Sequence, residues 1–517
     1  MNGPFVPEWV RSHARRSPEA PAIATPEVRL TYRELAERFR SLGARLAAAG
    51  VVSGDRVVVS LPNLAATVVV DLAIQTIGAC VVEVSHAWRA PALSAILAKT
   101  GARVAVVHER DLRVWSELAR RHQLRLWVVG TTPASSISDA GEIAPDPITP
   151  ALRPHFARPD DPALIVYTSG STSEPRGVVQ TWRNIDANTR SIAQFLELTE
   201  RDRAMLVLPL SYCYGRSVLQ THLFVGGSVF LDDRFMYPRI VFDAMRDEGC
   251  TGFAGVPTTF EIIRRQVDVR AVGLDRLRYV TQAGGAMAPE TIRWARDAFG
   301  PARLFIMYGQ TEATARLSYL PPEQANGKEG SIGIAIPGVD LRVVDDAGAP
   351  VPDGLVGNLV ARGDNITPGY LGEPEETRRI LRDGWLWTGD LVRRDEEGFL
   401  FYVGRTKDIL KIDGHRVSPL EIEEAIARHP DVAETAVVGS MQDSSGETAT
   451  AFVVRRAGST LSEAGLRRFC LEHLAQFKIP KAIAFVDALP HNESGKVLRA
   501  RLASELATPT PTPRQRI

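Results

Sequence analysis

From Gly54 onward the chain alternates between short β-branched runs and segments of helical periodicity. Arg56 to Leu61 is the first such run, and others centre on Val106, Leu206, Val229, Phe253, Val280 and Ile306. Parallel strands need long crossover connections, so this alternation favours layered α/β architecture with largely parallel sheets. Upstream, Thr31 to Gly50 reads as a helix. Thr31 and Glu34 stand at capping-box spacing, and Leu35, Phe39, Leu42 and Leu46 recur on one face.

At 517 residues the chain exceeds what one hydrophobic core supports, so two or more domains are expected. Between Gly330 and Phe401 the texture changes to short strands with Gly, Asp and Pro turns, which predicts a β-rich subdomain. A second α/β pattern starts near Asp408. Ser418-Pro419 with Glu421 predicts a proline-first capped helix to about His429, followed by strands at Val432 to Val438 and Ala449 to Val454. Thr132 to Asp161, rich in Ser, Pro and Asp, reads as an irregular surface connection, and TPTPTPRQRI after Ala507 has nothing to bury. No internal repeat is visible.

Charge excludes several functions. Lys plus Arg equals Asp plus Glu at 61 each, so no field draws the chain to nucleic acid or an anionic membrane. The four cysteines, Cys80, Cys213, Cys250 and Cys470, form no Cys-x-x-Cys pair, which argues against zinc or a disulfide framework and fits a reducing cytoplasm. MNGPFVPEWVRSHARR lacks the apolar core of a signal peptide. Ala65 to Val84 is greasy but interrupted by Asp71, Gln75 and Glu83, so a buried α/β segment is expected rather than a membrane span.

The apolar run Ala163 to Val166 leads into Tyr167 to Gly177, YTSGSTSEPRG. Small hydroxyl residues, two glycines and a proline can turn the chain so that N–H groups and hydroxyls face one concavity, which is what a string of phosphates needs. Arg176 adds a cation. The stretch fails the Walker pattern, and a lone loop of this kind is more often than not a solvated Gly/Ser turn.

Four further stretches resolve that ambiguity: YGQTEA at Tyr308 to Ala313, GWLWTGD at Gly384 to Asp390, GRTKDILKIDGHRVSPLEIE from Gly404 to Glu423, and SGK at Ser494 to Lys496. With the loop, these resemble in order the core motifs of the adenylate-forming superfamily: acyl-CoA synthetases, peptide-synthetase adenylation domains and luciferases. The resemblance runs from the Thr31 helix to about Arg501. It implies a large N-terminal domain of layered α/β sheets (1–406, with the β-rich subdomain at about 330–403). A small mobile α+β C-terminal domain (407–505) and a tail (506–517) follow.

The chemistry implied is attack of a carboxylate on the α-phosphorus of ATP with release of pyrophosphate. Two anions must meet, so charge neutralisation and positioning carry the rate. By resemblance, Thr168, Ser169, Gly170, Ser171, Thr172 and Arg176 hold the β- and γ-phosphates, Thr311 the α-phosphate, and Glu312 a Mg²⁺ ion. Asp390 takes the ribose hydroxyls, with Arg405 alongside. Tyr308 and Gly309 lie by the adenine, near the turn Gly284, Gly285 and Ala286, and Arg416 stays near the nucleotide. Lys496 is the catalytic cation. The small domain swings about Lys407, and Gly414 then leaves room for a pantetheine arm.

LPLSYCYGRS, Leu208 to Ser217, matches the segment lining the acyl pocket. Tyr212, Cys213 and Tyr214 imply an aromatic, mildly polar wall suited to an aryl or short functionalised acid, with Gln310 and Gly285 bordering it. Tyr212 stands where peptide synthetases carry aspartate, which disfavours an α-amino acid. Arg216 either pairs with a second anionic group on the substrate or is a solvent-facing or structural arginine, the two readings weighing about equally. The sequence departs from the family pattern at Ser173 (glycine usual), Arg176 (lysine), Trp182 (histidine), Glu83 (proline) and Asn358 (glutamate).

The expected enzyme is an acid–thiol ligase using ATP and Mg²⁺, with CoA or the phosphopantetheine of a carrier protein arriving in trans. It is expected to be a monomer or homodimer. An amine acceptor, an oxyanion such as nitrite in place of the carboxylate, and a non-catalytic nucleotide-binding protein are the rival readings.

Overall fold

The computed structural model describes residues 5–86, 88–130, 138–139, 158–168, 175–412, 415–441, 447–491 and 497–507. The chain divides into two units. The larger holds Met1–Gly284, Pro289–Leu341 and Ala361–Leu386; the other holds Gly285–Ala288, Arg342–Val360 and Trp387–Ile517.

Within the larger unit, the helix Tyr32–Ala48 starts where its local chemistry says it should. The Thr31 hydroxyl accepts from the Glu34 N–H at 3.2 Å, and the Glu34 carboxylate accepts from the Thr31 N–H at 2.8 Å. Leu35, Phe39, Leu42 and Leu46 are its buried face. An eight-stranded sheet runs in the order Gly369–Tyr370, Arg176–Thr181, Pro162–Thr168, Cys80–Glu83, Arg56–Ser60, Val104–His108, Arg125–Val129, Ser138–Asp139. The strands from Pro162–Thr168 to Arg125–Val129 pair in parallel. They read as unbroken apolar runs because both faces are covered.

A second sheet of this unit carries the parallel neighbours Arg303–Tyr308, Tyr279–Gln282, Gly252–Gly255, Arg203–Leu206, Ser228–Leu231 and Pro21–Ala24. Every expected strand-like run in this part of the chain is a strand. The greasy stretch becomes the helix Ala65–Thr76, buried almost all round, and the strand Cys80–Glu83. Among the described residues no helix is long and apolar enough to cross a membrane.

The second unit contains antiparallel pairing of residues 390–394 with Leu400–Arg405 and of Leu410–Ile412 with His415–Val417. It also has a three-stranded sheet of Val432–Met441, Glu447–Arg455 and Ala482–Phe485. Ile422, Ile426, Val437, Ala451, Val453 and Leu466 form its core. The helix Pro419–Ala427 is proline-first as expected, but Ser418 does not cap it: its hydroxyl donates to the Val403 carbonyl instead. Glu423 on that helix is buried and accepts from Arg499 at 2.7 and 2.6 Å and from the Val437 N–H at 2.6 Å.

Candidate active site

The strand Arg303–Tyr308 ends in a tight turn that presents Thr311 and Glu312. Glycine is required at 309, because a Cβ there would sit 2.0 Å from the Ala315 carbonyl oxygen. Thr314 takes φ 65°, a region β-branched residues avoid, and its hydroxyl donates to the Asn365 carbonyl at 2.8 Å. Three buried amides clamp the turn. Gln180 donates to the Thr311 and Thr314 carbonyls, both at 3.2 Å, and Asn365 donates to those of Ala313 at 3.3 Å and Arg316 at 3.1 Å. Asn188 donates to the Arg316 carbonyl at 3.0 Å and accepts from its N–H at 3.3 Å. Tyr308 leads in, its carbonyl accepting from Leu317, while the Gln310 carbonyl accepts from Ala313.

The Glu312 carboxylate accepts from the Tyr370 hydroxyl at 2.7 Å. Burial, and then the neighbouring Glu312 charge, raise the Tyr370 phenol. Among the described residues no group of three or more His, Cys, Asp or Glu could hold a metal unaided. A single carboxylate fits a Mg²⁺ ion coordinated mainly by phosphate oxygens and water.

Beside the turn stands the expected acyl wall. The helix Cys213–Val225 begins next to Leu208-Pro209, an approach that needs Gly215, where a Cβ would lie 2.4 Å from the Pro209 carbonyl oxygen. Cys213 Sγ lies 3.5 Å from Thr311 Oγ1, and burial pushes the thiol up. The Tyr214 hydroxyl donates to Thr281 at 2.8 Å, and burial raises that phenol to about 12. Tyr212 meets Tyr214 edge-on at 6.4 Å, and its hydroxyl would be 2.7 Å from a Cβ at Gly284, where φ is 88°.

The expectation of a substrate-facing Arg216 is corrected by the structure. Its side chain is 4% exposed; Nη1 pairs with Asp71 at 2.7 Å, Nη2 contacts Glu83, and Nε donates to the Leu210 carbonyl at 3.1 Å. Burial raises both carboxyls, Glu83 to about 8. Burial disfavours the charged form of both carboxyls, and the Arg216 charge opposes that shift in each. This trio uses Glu83, the departure from the family proline, and one interruption of the greasy helix.

A pH dependence follows. The Glu83 pKa is higher in the folded chain than its ordinary 4.5, so the native state holds a proton that the unfolded state releases. That stabilisation is complete below pH 4.5 and is lost as pH rises towards 8. Glu83→Gln is expected to remove this slope, gaining about 3 kcal/mol relative to wild type between pH 5.5 and 8 in urea unfolding. Parallel stability curves for the two proteins would contradict it.

Of the expected phosphate loop, Ser169, Gly170, Ser171 and Thr172 lie outside the described residues. Its flanks, Thr168 and Arg176, are paired across antiparallel strands. Arg176 faces Glu376 at 2.7 Å and Glu373 at 3.5 Å, so a phosphate there would compete with two carboxylates for the guanidinium.

In the second unit Asp390 is 1% exposed and lies 2.9 Å from Arg405 Nε, its cross-strand partner. Burial, with Asp390 nearby, raises the Tyr402 phenol. Lys407 sits in the turn after Leu400–Arg405, where the Asp408 N–H donates to the Arg405 carbonyl at 3.0 Å. Arg416 pairs in register with Lys411. Gly285 and Ala286 belong to this unit, directly after Gly284 in the chain. Gly414 and Lys496 lie outside the described residues. Next to Lys496, Val497 bridges His491, and the Leu498 N–H donates to the Pro490 carbonyl at 2.8 Å.

Thus Tyr212, Cys213, Tyr214, Gly284 and Thr311 come together in the larger unit. Sequence reasoning missed the amide clamps and Arg316. That arginine is 3% exposed, with its guanidinium 3.9 Å over the Tyr214 ring. The available signal was its place four residues beyond Glu312, in the run YGQTEATAR.

Residues 10–371 match the AMP-binding enzyme family, and residues 421–496 the AMP-binding enzyme C-terminal domain. The chain is 34% identical over 493 residues to a sulfoacetate–CoA ligase of Cupriavidus necator, covering 95% of each chain. It is 33% identical over 505 residues to a feruloyl-CoA synthase of an Amycolatopsis species, covering 97% of this chain and 99% of the relative. The crystal structure of ATP-bound MatB from Rhodopseudomonas palustris superposes with a TM-score of 0.89 at 28% identity, covering 98% of this chain and 99% of that one. Motif order, architecture and near full-length similarity agree: the chain belongs to the AMP-binding enzyme family and is an adenylate-forming acid ligase.

Proposed function

We propose that the enzyme activates a small functionalised or aryl carboxylic acid as its acyl-adenylate and then transfers the acyl group to the thiol of CoA. The observation that carries this reading is the 3.5 Å approach of Thr311 Oγ1 to Cys213 Sγ, which sets a phosphate-binding hydroxyl against the acyl wall. Relatives named for sulfoacetate and ferulate, both carboxylic acids, support the substrate class and the CoA acceptor.

In this reading Thr168 to Thr172 and Arg176 bind the β- and γ-phosphates, and Thr311 orients the α-phosphate. Asp390 accepts from the ribose hydroxyls beside Arg405 and Arg416, and Tyr308 and Gly309 border the adenine with Gly284 to Ala286. Mg²⁺ held through Glu312 would offset phosphate charge. Lys496 donates to the acyl oxygen and α-phosphate as they approach. The acid lies along Tyr212, Cys213 and Tyr214, next to Gln310. Residues after Lys407 then move, withdrawing Lys496 and opening a thiol path past Gly414. A cytoplasmic setting supplies ATP and reduced CoA.

Acid-dependent exchange of labelled pyrophosphate into ATP tests the first step, and CoA thioester formation the second. Exchange with no acid from a broad aliphatic and aromatic panel would overturn the reading. Exchange without CoA consumption would move the acceptor to a carrier protein or an amine.

A further inference from the structure

Leu208 to Leu210 lies between the strand Arg203–Leu206 and the helix Cys213–Val225, whose start carries the acyl wall. Because the stretch belongs to neither element, its main-chain polar groups need other partners. Asn63, buried in the loop before the helix Ala65–Thr76, donates to the Leu208 carbonyl at 2.8 Å and accepts from the Leu210 N–H at 2.9 Å. The Pro209 carbonyl accepts from the Tyr212 N–H at 3.1 Å. The Leu210 carbonyl accepts from Arg216 Nε at 3.1 Å. Arg216 also meets the wall through its own N–H, which donates to the Tyr212 carbonyl at 3.0 Å.

The three nitrogens of the Arg216 guanidinium thus serve three different acceptors. Nε holds the Leu210 carbonyl, Nη1 pairs with Asp71 at 2.7 Å, and Nη2 contacts Glu83. Asp71 and Glu83 stand on the helix Ala65–Thr76 and the strand Cys80–Glu83, while Arg216 is on the helix that follows a strand of the second sheet. The two carboxyls fix the plane of the fork, and that plane aims Nε at the carbonyl. Stability alone does not call for such a trio, since buried ionic groups are often replaced by well-packed apolar side chains without loss. Apolar side chains in its place would leave the Leu210 carbonyl without a donor. What the charges add is the direction of one N–H.

We infer that Arg216 is a positioning residue of the ligase reaction: oriented by Asp71 and Glu83, it fixes the Leu210 carbonyl and, with Asn63, sets where Tyr212, Cys213 and Tyr214 stand against the substrate acid. This deepens the ligase reading of the acyl wall and rests on it. Thr311, across from Cys213, is held separately by Gln180 at 3.2 Å, so loosening the wall spares the phosphate side.

Arg216→Lys keeps a cation between Asp71 and Glu83 but loses the Nε donor. Asn63→Ala frees the Leu208 carbonyl and the Leu210 N–H by an independent route. Two readouts are taken on each variant, after thermal melting has identified any that fails to fold. The first needs no substrate: alkylation by N-ethylmaleimide, followed peptide by peptide in a mass spectrometer. Cys213, Cys250 and Cys470 are all buried. Cys213 is expected to react about tenfold faster or more in both variants, while Cys250 and Cys470 keep their wild-type rates. The second is pyrophosphate release with benzoate, 4-hydroxycinnamate, butanoate and succinate. For the best of these acids, its KM should rise about tenfold or more, while kcat and the KM for ATP change less than about threefold.

A folded variant with wild-type Cys213 reactivity and an unchanged acid KM would overturn the inference and leave the ligase reading intact. So would equal acceleration at all three cysteines, the mark of general loosening, or a matching rise in the KM for ATP. If one variant fails to fold, the other decides; failure of both would mark these contacts as structural only and overturn the inference. Absence of pyrophosphate release by wild type with these acids and a wider panel would overturn the ligase reading, and the positioning role with it.

Discussion

Arg216→Met is expected to destabilise the larger unit by about 3–5 kcal/mol, the usual cost of removing one partner from a buried ion pair. The loss has a definite location. Arg216 is the cation beside both Asp71 and Glu83, so its removal leaves two buried carboxyls without one. The Leu210 carbonyl also loses its donor from Nε. Adding Asp71→Asn to the methionine variant should recover much of the loss, because the amide carries no charge to desolvate. Urea unfolding of the two variants and wild type checks both statements. A single-variant loss below about 1 kcal/mol, or no recovery in the double variant, would show that the trio does not carry this energy.

Lys496→Ala is expected to lower acid-dependent pyrophosphate exchange by about 100- to 1,000-fold, the typical effect of removing one donor to developing charge. Thioester formation from supplied acyl-adenylate should stay largely intact, since in the proposed cycle Lys496 has left by then. Lys407→Pro should act in the opposite sense. Proline fixes φ, and stiffening that turn should hinder the second half-reaction while sparing the first. Measuring both half-reactions in both variants separates the roles. Similar damage to both steps in both proteins would contradict alternation about Lys407.

What could be read from the sequence was set by how local the cause is. The Thr31 cap and the parallel strands follow from neighbours within a few residues or from a repeating pattern, and the structure has them. Arg216 could not be placed that way, because its partners Asp71 and Glu83 are 145 and 133 residues away. Arg316 reads as an ordinary loop arginine until folding brings Tyr214 beneath it. Ser418 has the chemistry of a cap, but a carbonyl 15 residues upstream takes its hydroxyl. Gln180, Asn188 and Asn365 carry no motif at all, since any buried amide of suitable reach could hold those carbonyls.

The amide clamp also bears on how the turn tolerates change over evolutionary time. Gln180, Asn188 and Asn365 grip main-chain atoms of the turn, including the carbonyl and N–H of residue 316, while the side chain at 316 rests separately on Met307, the Ala315 carbonyl and the Tyr214 ring. Substitution at that position can therefore change the side chain lying on Tyr214 without displacing Thr311 a few residues away. The backbone of the turn and the side chains it carries become separately mutable within one short loop.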